Sequence, residues 1–150
     1  MKTLKESILD NDFDIKHLAF PRNRKELENE IRDAYKKGIY NLNFIDTSQI
    51  KDFSSLFRDD PNTGRPDFDI SEWNVSNGEI FNGMFLGCKK FNSDLSNWDV
   101  SDGRDFDGMF CNCKEFNSDL SKWDVSKGRW FENMFKNCPI KDEYKPKGIK

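Results

Sequence analysis

Leu95-Ser96-Asn97-Trp98-Asp99-Val100-Ser101 returns 25 residues to either side, as Ile70-Ser71-Glu72-Trp73-Asn74-Val75-Ser76 and Leu120-Ser121-Lys122-Trp123-Asp124-Val125-Ser126. Met-Phe follows each Trp after eleven residues (84–85, 109–110, 134–135), and Cys follows after fifteen (88, 113, 138). A fixed period of this size means stacked supersecondary units. Two spacings alternate inside each unit. In Leu95-x-x-Trp98-x-Val100, Trp98 and Val100 are two apart and share one face of a strand. In Phe106-x-x-Met109-Phe110-x-x-Cys113 the spacing is the i, i+3, i+4, i+7 stripe of a helix. The expected fold is therefore an α/β repeat: a right-handed solenoid of short parallel strands, with cores near 42–47, 70–75, 95–100 and 120–125, alternating with short helices. Ser76, Ser101 and Ser126 stand where helix N-caps are needed. Gly78, Gly103 and Gly128 suggest a tight bend, and Gly87, Asn112 and Asn137 suggest left-handed helix ends.

The period extends upstream in a worn form. Leu42-x-x-Ile45-x-Thr47-Ser48 aligns with the phrase at 70–76, and Phe53-x-x-Leu56-Phe57 aligns with Phe81-x-x-Met84-Phe85. The offset there is 28 residues, so three must be absorbed, and Arg58 to Pro66 reads as a bulging Pro/Gly/Asp loop. Ahead of the repeats, Thr3 and Glu6 suggest a short helix over 4–10. Asn23 and Glu26 open a better one over 24–37, with Leu27, Ile31, Ala34 and Tyr35 on one face and Gly38 at its left-handed end. The division expected is an N-terminal helical cap (1–41), about four repeats (42–69 degenerate, 70–94, 95–119, 120–138), and a C-terminal cap with a basic tail (139–150). A cap is needed because an uncovered end layer exposes core and an unpaired edge.

Composition fits a narrow core filled by rings: 14 Phe and 4 Trp in 150 residues, with 35% hydrophobic and 34% charged. Residues 41–138 carry 11 Lys/Arg against 17 Asp/Glu, a poor phosphate-binding surface, so no nucleic acid is expected as ligand. No stretch approaches the ~18 apolar residues of a membrane span, and the first ten residues lack an apolar export run. A cytoplasmic protein is expected. The cysteines read as a column of reduced, buried thiols. Zinc is not expected: only His17 is available, and Cys111-Asn112-Cys113 lacks the usual two-residue gap.

Phe91-Asn92-Ser93-Asp94-Leu95-Ser96-Asn97-Trp98-Asp99-Val100-Ser101, followed by Met-Phe-x-x-Cys, resembles the bacterial surface leucine-rich repeats of the BspA type, which also occur in mycoplasma lipoproteins. The likeness covers about 66–138 well and 42–57 weakly. It implies a leucine-rich-repeat-like solenoid and a role in adhesion or protein binding, without catalysis. The opening Met1-Lys2-Thr3-Leu4-Lys5-Glu6-Ser7 is similar to starts seen on proteins of phages and mobile elements of gut bacteria, which implies a host or virion protein as partner.

Asp69, Asp94 and Asp119 form one acidic column, and Asp46, Asn74, Asp99 and Asp124 another. Stacked carboxylates follow automatically from a repeat, no nucleophile–base pair accompanies them, and calcium needs oxygens converging in a tight loop. Asx turns explain both columns. No enzyme activity, metal or cofactor is expected. The Trp column reads as core, with each indole N–H bonded to a neighbouring turn. The expected function is a protein-interaction scaffold whose partner has a basic or mixed surface. It would be met by Asp46, Asn74, Asp99 and Asp124 in one outward row and Glu72, Asn97 and Lys122 in a second, varying row. The alternative is a surface-adhesion or glycan-binding module without its export signal, and a third arrangement puts the partner on the 58–66 loop or the helical side.

Overall fold

The computed structural model describes residues 18–149. The short helix expected over 4–10 lies outside these residues. The helix expected over 24–37 is present as α1, Arg24–Lys36. Asn23 Oδ1 accepts from the Glu26 amide at 3.0 Å, capping the first turn. Gly38, at φ +72°, ends the helix: its amide donates to Tyr35 O, and the Ile39 amide to Ala34 O, a Schellman pair. Leu27, Ile31 and Ala34 are buried in the one hydrophobic core.

The solenoid of parallel strands and helices is not what the chain forms. Among the described residues α1 is the one α-helix, two short 3-10 turns (Pro61–Gly64 and Asp142–Tyr144) complete the helical structure, and there is no strand, only isolated parallel bridges such as Asp52–Ile80, Ile80–Asp105 and Asp105–Trp130. The repeats do stack, but they are built from turns.

The segments expected as helices show why. Gly83 and Gly87, Gly108 and Asn112, and Asn133 and Asn137 all have left-handed φ, between +56° and +77°. A left-handed residue at every fourth position interrupts the i→i−4 bonds a helix requires. Even-numbered amides of the second layer instead close four-residue turns, Met84 to Phe81 O, Leu86 to Gly83 O and Cys88 to Phe85 O. Odd-numbered amides cross to the next layer: Phe81, Gly83, Phe85 and Gly87 donate to Asp105, Asp107, Met109 and Cys111 carbonyls at 2.8 to 2.9 Å. The same four bonds join Phe53, Ser55, Phe57 and Asp59 to the second layer, and Phe106, Gly108, Phe110 and Asn112 to the fourth. Each segment is thus a ribbon of turns, tied to its neighbours like a parallel ladder.

The Trp-x-Val segments are not strands either. Their amides fold back, Trp98 to Leu95 O and Gly103 to Val100 O. The link between layers is the indole: Trp73, Trp98 and Trp123 Nε1–H donate to Leu42 O, Ile70 O and Leu95 O at 2.9, 3.2 and 3.0 Å. The inward–outward alternation survives, with Trp98 and Val100 buried and Asp99 exposed. Ser76, Ser101 and Ser126 cap no helix. Gly78, Gly103 and Gly128 each close a tight turn, donating to Val75, Val100 and Val125 O at 2.8 Å, and a Cβ at Gly78 would stand 2.5 Å from Phe81 Cζ and 2.9 Å from Val75 O.

Phenylalanine columns run the length of the stack. Phe53, Phe81, Phe106 and Phe131 lie ring over ring at 5.4, 5.5 and 5.5 Å, nearly parallel, and Phe57, Phe85, Phe110 and Phe135 do the same at 5.8, 5.6 and 5.6 Å. Such pairs add about 0.5–1.5 kcal/mol each beyond the area they bury. The 58–66 insertion is folded rather than loose: Thr63 is buried and its hydroxyl donates to Asp60 O at 2.8 Å.

Candidate protein-binding face

The outward row expected from the repeat is present on turn-built segments, not on a sheet. Asp46, Asn74, Asp99 and Asp124 each accept, through Oδ1, the amide of the Ser two residues on, at 2.9, 3.0, 3.0 and 2.9 Å. Ser76 and Ser101 hydroxyls donate to the same oxygens of Asn74 and Asp99 at 2.6 Å. One side-chain oxygen of each residue therefore holds an Asx turn. Asn74, Asp99 and Asp124 are exposed, whereas Asp46 is half-buried. Glu72, Asn97 and Lys122 are exposed at one shared place in successive layers. Glu72 is anchored through its amide, which donates to Asn43 Oδ1 at 3.1 Å.

Asp69, Asp94 and Asp119 are a second Asx column, accepting from Ser71, Ser96 and Ser121 amides at 2.8, 2.9 and 2.9 Å. The Ser96, Ser121 and Ser126 hydroxyls and amides hold the Asp94, Asp119 and Asp124 carboxyls below the usual carboxylate range. Among the described residues, no three His, Cys, Asp or Glu side chains converge as a metal site.

All four cysteines are free. Cys88 and Cys113 donate Sγ–H to Phe57 O and Phe85 O in the preceding layer, at 2.8 and 3.0 Å. Burial pushes the Cys88 thiol up to about 11, and raises those of Cys113 and Cys138 as well. Thiols held this way are poor nucleophiles.

One surface was missed in the sequence. Trp130 is 52% exposed and Ile80 38%, and both stand in the bridge column Asp52–Ile80–Asp105–Trp130. Trp130 falls outside the 25-residue Trp period, and its place immediately before the column residue Phe131 was the available signal. The neighbouring column carries Glu79 and Arg104, paired at 3.7 Å. No helix among the described residues is long and apolar enough to cross a membrane.

Stacked layers of turns, a helix packed at one end and a row of varying side chains define a repeat protein with a built exterior. The chain belongs to the family described as a mycoplasma protein of unknown function, DUF285, whose profile matches residues 25–145, from the first turn of α1 to the residue after the Asp142–Tyr144 turn. No curated protein and no solved structure matches the chain. The family assignment stands without the leucine-rich-repeat architecture, which the absence of strands among the described residues overturns.

Proposed function

We propose that the chain is a non-enzymatic protein-binding scaffold that meets its partner with the face carrying Asp46, Glu72, Asn74, Asn97, Asp99, Lys122 and Asp124. The observation that carries this reading is the contrast within each layer. From the second layer to the fourth, Trp, Val, Gly and Cys recur and are buried or held by the packing, whereas one exposed position is Glu72, then Asn97, then Lys122. Variation at an outward position of a rigid stack is what recognition requires. The likeness of the Trp-Asp-Val-Ser phrase to BspA-type surface repeats supports binding over catalysis. The acidic balance of residues 41–138 favours a partner with a basic or mixed surface.

The test begins with affinity purification from the native host, mass spectrometry, and binding measured with the purified partner. Asp99→Asn with Asp124→Asn removes two charges while keeping the oxygen each Asx turn uses. Weaker binding with a flatter salt dependence is expected. Unchanged affinity and unchanged salt dependence in this double variant and in Lys122→Glu would remove the face from consideration.

A further inference from the structure

Within the ribbons the four-bond sets run one way, from amides of one layer to carbonyls of the next, although the amides just ahead of each ribbon (Glu79, Arg104, Arg129) donate back to Lys51, Glu79 and Arg104 carbonyls. The last ribbon therefore has amides with no following ribbon to give to. Trp130, Glu132, Met134 and Lys136 carbonyls accept from the third layer. The corresponding amides of Phe131, Asn133, Phe135 and Asn137 have no acceptor among the described residues. Asn133 and Asn137 are exposed, and Phe131 and Phe135 are half-buried, whereas their column mates Phe106 and Phe110 are fully buried. A cleft of about 510 Å³ separates this edge from residues 145–149; Phe131, Met134 and Phe135 form one wall, Pro146 and Ile149 the other.

We propose that this edge is a docking site for a polypeptide segment of another protein, which adds as one further ribbon. This rests on reading the chain as a protein-binding scaffold, but uses a different surface from the row above. Three junctions inside the molecule already specify what fits: four carbonyls, on alternate residues, at 2.8 to 2.9 Å from four amides, with rings stacking about one layer apart. The occupant therefore carries apolar residues to cover Phe131 and Phe135, and Gly or Asn at every fourth position, where the ribbon is left-handed. Lys136 and Lys145 line the cleft, so the occupant is acidic between its apolar positions.

A second copy of this chain does not meet the requirement. Tail against tail would set donors against donors. The complementary carbonyls, those of the first ribbon (52–58), lie alongside α1, which is fastened there by Arg24 to Asp52 at 3.6 Å and by the Tyr35 hydroxyl to Asp60 at 2.7 Å. One end of the stack is covered by α1, and among the described residues no ribbon follows at the donor end.

The experiment follows amide resonances of the full chain during titration with a peptide of residues 104–113, Cys111 and Cys113 replaced by Ser, to millimolar concentration. This peptide has the acidic, apolar and Gly/Asn pattern required. Saturable shifts and slowed hydrogen exchange at Phe131, Asn133, Phe135 and Asn137 are expected. The same peptide with Gly108→Ala and Asn112→Ala should bind at least about ten-fold more weakly, because both positions must turn left-handed. No response of those four amides, equal binding of the two peptides, or shifts confined to the Trp-x-Val face would overturn the proposal. The Asp99→Asn, Asp124→Asn variant serves as a control: it alters the outward row alone, so the two surfaces are judged separately.

Discussion

Each periodic tryptophan serves two layers: its ring fills one, and its indole N–H donates into the layer before. Trp98 is 4% exposed, stacks on Trp123 at 6.5 Å and donates to Ile70 O. Trp98→Ala is expected to cost roughly 3–5 kcal/mol in chemical denaturation, because rigid neighbouring layers cannot collapse into the space. A loss below about 1 kcal/mol would mean that the ring is not core. The Asx carboxylates give a second prediction at this scale. Asp94, Asp119 and Asp124 are held below the usual carboxylate range by the serines that follow them. A folded-state value below the unfolded one means the stabilisation is present above the ordinary range and is lost as pH falls through the lowered values, below about pH 4. Replacing all three with Asn keeps the turns and should flatten the acid side of a melting-temperature profile. An acid side as steep as that of the parent would contradict the assignment.

At the level of elements, α1 was legible and the ribbons were not. Asn23, Glu26 and Gly38 mark the helix at both ends: Asn23 caps the first turn, Gly38 turns left-handed, and the Glu26 carboxylate accepts from the Arg22 amide rather than from that of Asn23. The spacing Phe81, Met84, Phe85, Cys88 is shared by a helix and by a run of four-residue turns, since both bring every fourth residue back to the same side. The distinguishing signal was Gly83, Gly108 and Asn133, each four residues before Gly87, Asn112 and Asn137. Two left-handed residues four apart leave no room for a helical turn between them. Gly108→Ala separates the two readings by sign. A Cβ there has ordinary space, its nearest neighbour being Leu86 Cδ1 at 3.6 Å, so only the backbone responds. In a helix the change would stabilise by about 1 kcal/mol. At φ +60° it should destabilise by about 1 kcal/mol, with Gly108→Asn milder. Stabilisation in a denaturation experiment would restore the helix.

For the molecule as a whole, the 25-residue period is legible because Phe columns register from layer to layer, as in Phe81, Phe106 and Phe131. The outward row was legible too, from the alternation of Trp98, Asp99 and Val100, although the strand that alternation implied is absent. What no local pattern could show is that the four bonds within each ribbon all run toward the following layer, and hence which end of the ribbons is left with donors. That is a property of the assembled ladder. Amide hydrogen exchange measured by NMR on the free protein tests the layered ladder most directly. Slow exchange is predicted at Phe106, Gly108, Phe110 and Asn112, which donate to the fourth layer, and fast exchange at Phe131, Asn133, Phe135 and Asn137, which occupy the same places one layer on. Protection of Phe135 and Asn137 equal to that of Phe110 and Asn112 would mean that each segment satisfies its own amides as a helix does, and would contradict the account.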